Sequence, residues 1–204
     1  MKTIFTAFLL LFGIGAFAQD PMYSGQRSIP INDSRLHLQP LPINNSTGKI
    51  EFHNMVEVPG KSMPEIHAIA REWFLKTFAS PNAALETDDI DAGVLKGKGV
   101  ITKTMFSSTT GLFGDMESAN LTVKVDSDDG YYSYTLSDIV FNLASPQATR
   151  QYPAEEIITD KHLFKPNGQA RSKSRNLKEM VMISVRQLTN SLKSSIKNGE
   201  MDNY

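Results

Sequence analysis

The chain has 204 residues, 40 % of them hydrophobic and 21 % charged, with a formal net charge of −1 at pH 7 and no cysteine. This length and apolar content suit one globular domain with a packed core. The near-neutral charge gives no footprint for nucleic acid or an anionic membrane surface. The missing cysteine excludes disulfides and thiol chemistry.

Taken in order, the chain opens with Lys2, a nearly all-apolar run over residues 4–14, and Ala16-Phe17-Ala18. A short positive start, an apolar run and small residues at −3 and −1 make a secretory signal peptide over residues 1–18, cut between Ala18 and Gln19. The run is too short to span a bilayer, and no later stretch of the mature chain approaches a transmembrane helix. An exported, disulfide-free chain suits a bacterial periplasm or the extracellular space. Residues 19–49 are polar and broken by Pro21, Pro30, Pro40 and Pro42. They read as a tether, or an arm laid over the domain. The sequons that begin at Asn44 and Asn45 read as unmodified.

The domain proper, residues 50–199, begins with a strand over 50–58. Ile50, Phe52, Val56 and Val58 share one face, and Glu51, His53, Met55 and Glu57 the other. Pro59-Gly60 turns the chain. Ser62 and Glu65 form a capping box, with Pro64 in the first turn. Ile66, Ile69, Ala70, Trp73, Phe74 and Phe78 then recur at helical spacing, and Ser80-Pro81 stops the helix. The stripe, with the one tryptophan, is expected to pack on the sheet. Pro59-Gly60-Lys61-Ser62 is not a phosphate loop, because Met55 stands where the first glycine is needed.

Residues 84–90 and 93–105 read as two strands about Asp91-Ala92-Gly93. Gly97 and Gly99 signal a bulge or a close approach of another backbone. Residues 106–114 form a Ser/Thr/Gly loop carrying Phe106, Leu112 and Phe113, which tucks under the sheet or serves as a binding tip. A hairpin follows across Ser127-Asp128-Asp129-Gly130. Its expected register sets Val125 opposite Tyr132, Val123 opposite Tyr134 and Leu121 opposite Leu136, with Lys124 opposite Ser133 and Thr122 opposite Thr135. Residues 142–151 leave the sheet. A connection over 152–166 holds a helical turn at 154–158. The last helix covers 176–198, with Leu177, Val181, Val185, Leu188, Leu192 and Ile196 in one stripe. Asn176 and Glu179 read as its capping box, Asn198-Gly199 as its stop, and residues 200–204 as a tail.

The candidate chemistry is thin. His53, His67 and His162 lie on separate elements without ligand spacing, which fits structural roles. Asp126, Asp128, Asp129 and Gly130 resemble a calcium loop, but the glycine falls one place early and Ser137 stands where the closing Glu belongs. Asp88, Asp89 and Asp91 read as a turn-flanking run with no His, Arg or aromatic cluster adjoining. No serine lies in a nucleophile elbow. The basic stretch Lys161, Lys165, Arg171, Lys173, Arg175 and Lys178 reads as a solvated face. No catalytic residue, metal ligand or cofactor is expected, and the chain reads as a non-enzyme.

The element order implies an α+β two-layer sandwich, β-α-β-β-β-β-α. An antiparallel sheet of about five strands is covered on one face by two helices. Residues 56–62 (Val-Glu-Val-Pro-Gly-Lys-Ser) and 70–74 (Ala-Arg-Glu-Trp-Phe) resemble the start of a family of exported bacterial domains of unknown function, assigned a TATA-binding-protein-like fold. Gly97-Lys98-Gly99 and the strand over 131–138 fit its pattern, and the resemblance covers residues 50–144. It implies fold and export, with no catalytic residues and no DNA binding. Two functions stay open. One is a non-catalytic binding module for an envelope protein or small molecule, using the polar sheet face at Thr122, Lys124, Ser133 and Thr135. The other is a carrier of an apolar molecule or lipid in a cavity between the sheet and the C-terminal helix.

Overall fold

The computed structural model describes residues 36–78, 84–102, 116–143 and 148–199. A 3₁₀ turn, η1 (Leu36–Leu38), precedes β1 (Phe52–Glu57) and α1 (Met63–Thr77). Four strands follow: β2 (Ala84–Asp89), β3 (Val94–Thr102), β4 (Met116–Asp128) and β5 (Tyr131–Leu143). After β6 (Arg150–Pro153) come α2 (Glu155–Ile158), α3 (Asp160–Leu163) and α4 (Ser172–Asn198). The expected signal peptide, the arm before residue 36, the Ser80-Pro81 stop and the 106–114 loop lie outside the described residues.

The strands form one antiparallel sheet in the order β1-β5-β4-β3-β2, with β6 added beside β5. The α+β sandwich read from the sequence is thus the fold, with six strands among the described residues. The sixth is short and ends in Pro153. The two ends of the stretch expected to leave the sheet stay in it, since Asn142 pairs with Gln151 and Leu143 with Arg150. β5 is the spine: residues 131–136 pair with β1 and residues 140–143 with β6. Between these two partnerships Asp138 takes a left-handed φ of 52° and the β4 register slips between Asn120 and Thr122. An extra residue on one strand leaves a bulge that bends and twists it.

The β4–β5 hairpin closes tighter than expected. Its turn is Asp129-Gly130, with Gly130 at φ 80°, and Asp128 pairs directly with Tyr131. The register is therefore shifted by two: Val125 faces Tyr134, Val123 faces Leu136, Lys124 faces Thr135 and Thr122 faces Ser137. Because side chains alternate with period two, a shift of two keeps every residue on its expected face.

Both long helices lie on one face. In α1, Glu65 reaches back to accept from the Ser62 N–H at 2.9 Å, the capping-box contact. The Met63 N–H donates to Asp129 Oδ1 at 2.8 Å, so the hairpin turn caps the helix from a distance of 66 residues. The glycines of β3 admit the aromatic rings of α1. A Cβ on Gly97 would lie 2.5 Å from the Phe74 ring, and one on Gly99 2.6 Å from Phe78. Trp73 lies in the apolar cluster shared with the sheet, and it also reaches the second helix. Its indole N–H donates to Ser191 Oγ of α4 at 3.1 Å, so it closes the seam between the helices.

The helix α4 begins a turn earlier than expected. Arg171, not Asn176, is its N-cap, and Gly199 ends it at φ 68°. The six-residue stripe is buried, but so are Lys178, Glu179, Met180, Met182, Ile183 and Ser184, because η1, α2 and α3 pack on the outer side of this half. Sheet, α1 and α4 share one apolar cluster.

Candidate functional site: a polar groove on the open face of the sheet

The face away from the helices carries the alternate residues of each strand. At its hairpin end lie the expected contact residues Thr122, Lys124, Ser133 and Thr135, brought together on two neighbouring strands. They form no cleft, and neighbouring side chains engage two of them. Lys124 bridges Asp126 at 2.7 Å, the Thr135 hydroxyl lies 3.1 Å from His53 Nδ1, and Thr122 is buried.

A concavity lies at the other end of this face. A groove of about 500 Å³ is lined by Lys98, Gly99 and Val100 of β3, Ser118 and Asn120 of β4, Asn142 of β5, and Thr149 and Gln151. Strand alternation puts Ser118, Asn142 and Gln151 in one row across three strands. Asn142 is the hub. Its amide nitrogen donates to Ser118 Oγ at 2.7 Å and leans on Asn120 Oδ1 at 3.4 Å. Its oxygen accepts from Gln151 Nε2 at 3.1 Å. A buried amide with both ends bonded is fixed in place. Among the described residues, the Asn120 amide nitrogen and the Gln151 amide oxygen keep no partner. One rim thus offers a donor and the other an acceptor.

Lys98 is the one ionisable residue among the described lining. Glu86, on the edge strand, holds it at 2.9 Å and Lys96 at 3.1 Å. The hydrogen bond to Glu86 raises the Lys98 ammonium above its usual range, and the bonds from Lys98 and Lys96 lower the Glu86 carboxyl. The groove is therefore polar and locally neutral. Sequence reading named residues at the hairpin end of this face, outside the groove, and missed Asn120, Asn142 and Gln151. The signal was the polar alternation of Ser118, Asn120 and Thr122, which carries the open face two residue pairs past the expected strand.

The other candidates resolve into supports. Asp88 does have basic neighbours, against the sequence reading: Arg71 Nε lies 2.5 Å from Oδ2 and His67 Nε2 lies 2.9 Å from Oδ1. They come from successive turns of α1, a neighbourhood that linear adjacency does not reveal. The Arg71 bond first, then His67, holds the Asp88 carboxyl below its usual range. His67 is buried, His162 half-buried and His53 exposed. Among the described residues no three His, Cys, Asp or Glu gather as a metal site. Asp128 accepts from its own turn, from the Asp129 N–H and the Tyr131 hydroxyl. Lys178 is not on a solvated face. It is 1 % exposed, 3.7 Å from Asp160, and desolvation lowers its ammonium from the usual lysine range.

Comparison with known proteins agrees with this architecture. Residues 52–142 match the family described as a domain of unknown function (DUF4468) with TBP-like fold, the family and fold that the sequence resembled. A solved DUF4468 family protein from Bacteroides ovatus superposes with a TM-score of 0.61 at 17 % identity, covering 85 % of this chain and 99 % of its own. A TBP-like protein from Parabacteroides distasonis gives 0.59 at 16 % identity, covering 78 % and 97 %. At such identities the likeness is one of fold. No curated protein matches the chain.

Proposed function

For a chain whose residues 52–142 carry the DUF4468 domain of unknown function with TBP-like fold, we propose an exported, non-catalytic binding role, with the polar groove as its site. The observation that carries this is the fixed, neutral amide row Gln151–Asn142–Ser118 lining about 500 Å³. That volume falls in the range of small-molecule sites. Preorganised donors and acceptors without a charge favour binding over proton transfer. A nucleophile would need an adjacent base, and the lining offers hydroxyls, amides and a lysine already held by Glu86. Export rests on the signal-peptide pattern, and places the protein in the periplasm or outside the cell. The carrier reading is weaker, because aromatic and aliphatic side chains from sheet, α1 and α4 interdigitate in the layer where its cavity would lie.

Two measurements test the proposal. N-terminal sequencing of exported protein should begin at Gln19, and retention of Met1 would overturn the export. Native mass spectrometry after exposure to envelope extract should show a bound small molecule that Asn120→Trp, which fills the groove, removes without changing the melting temperature. An adduct that persists in Asn120→Trp would sink the groove as the site, and an extractable apolar adduct would restore the carrier.

A further inference from the structure

The outer edge of β1 carries a second inference, independent of the groove. The Val58 N–H donates to the Gly130 C=O at 2.8 Å. By the alternation of antiparallel pairing, Phe52, Asn54 and Val56 turn their backbone polar groups toward β5. His53, Met55 and Glu57 turn theirs outward. Glu51 is next in that outward series and is engaged, its N–H donating to the Pro42 C=O at 2.9 Å. This belongs to a small hairpin in which Ile43 bridges Ile50 and the Asn44 N–H donates to the Lys49 C=O at 2.8 Å. Continued by one more pair, the hairpin would set Pro40 opposite His53. Proline has no N–H to give, and the chain instead turns away to lay η1 on α4. Among the described residues, the outward backbone groups of His53, Met55 and Glu57 have no partner.

The opposite edge of the sheet is protected and this one is not. β2 is bulged at Glu86, between Leu85 and Thr87, and carries Asp88 and Asp89, the usual devices against strand addition. β1 presents Met55, 59 % exposed, between His53 and Glu57.

We propose that this edge pairs with the same edge of a second copy, antiparallel about a two-fold axis at Met55. That register makes hydrogen-bonded pairs of all three outward residues. It sets Met55 against Met55 of the second copy, removing apolar surface from water. It also sets His53 against Glu57 of the second copy, and Glu57 against the second copy's His53. The edge is self-complementary in register and hydrogen-bonding partners, as a two-fold contact requires, and the sheets of the two copies join into one. A contact limited to one strand pair is small, so the dimer is weak, with a dissociation constant of about 10 µM to 1 mM.

Sedimentation equilibrium of the purified protein across that range should show the mean mass rising from monomer toward dimer. Met55→Lys sets two like charges on the axis and should hold the monomer mass with an unchanged melting temperature, since the replaced side chain is exposed. His53→Glu should do the same, and adding Glu57→Lys should restore the dimer by reversing the pair. A wild-type mass that stays monomeric throughout, or a dimer that survives Met55→Lys, overturns the proposal. Failure of the double variant to restore association overturns the His53–Glu57 register.

Discussion

Trp73 is 1 % exposed, edge-on to Phe78 with ring centroids 5.9 Å apart, and its N–H reaches Ser191. Deleting such a ring costs transfer energy, a cavity and an orphaned hydroxyl partner at once. Trp73→Ala should lower stability by about 3–5 kcal/mol, measured by denaturant unfolding. A loss below about 1 kcal/mol would show that the side chain is not a core element. Helical periodicity alone identified this residue as buried. It could not say that Ser191 of α4 accepts from the indole, because a stripe gives a face and not a partner. Gly97 and Gly99 were legible as a close approach of another backbone: the Ala84 carbonyl does approach Gly97, and the rings of Phe74 and Phe78 crowd the same two positions. Asn54 shows the limit of pattern reading. It lies on the apolar face of β1 between Phe52 and Val56 and is 3 % exposed, a polar residue carried into the core by register.

At the level of elements, the edge strand β2 is pinned to α1 by Asp88. Its carboxyl is depressed by Arg71 and then His67, so the sign of its pH linkage follows. The unfolded chain takes up a proton near pH 4 while the folded carboxylate resists it. The stabilisation is whole above the unfolded value and is lost as pH falls through the folded one. Asp88→Asn should therefore melt below wild type at neutral pH, and the gap should close as the pH drops below about 4. Melting curves from pH 7 to pH 2 test this, and a gap that stays constant into acid would refute it. The element types and the long helices were legible because their periods are strong. The register of the β4–β5 hairpin was not, because a slip of two residues preserves the same faces. β6 was missed because four residues cannot display a period.

At the scale of the molecule, fold class was legible from element order, and the groove was not, because it is assembled from β3, β4, β5 and β6, which only the sheet brings together. The same assembly bears on how far the molecule can be divided. The family match ends at residue 142, within β5, while the helix that seals the apolar face begins at Ser172. Lys193 of α4 lies 5.9 Å from the centre of the Tyr134 ring, and Trp73 finds its partner on the same helix. A fragment of residues 52–142 would keep β1 to β5 and α1 yet leave this surface to water. It should bind hydrophobic dye and lack a cooperative melt, as states without fixed packing do, and a sharp two-state transition would contradict this. The stretch that the family model matches is thus smaller than the stretch whose side chains pack together, so a fragment that melts cooperatively is expected to include α4.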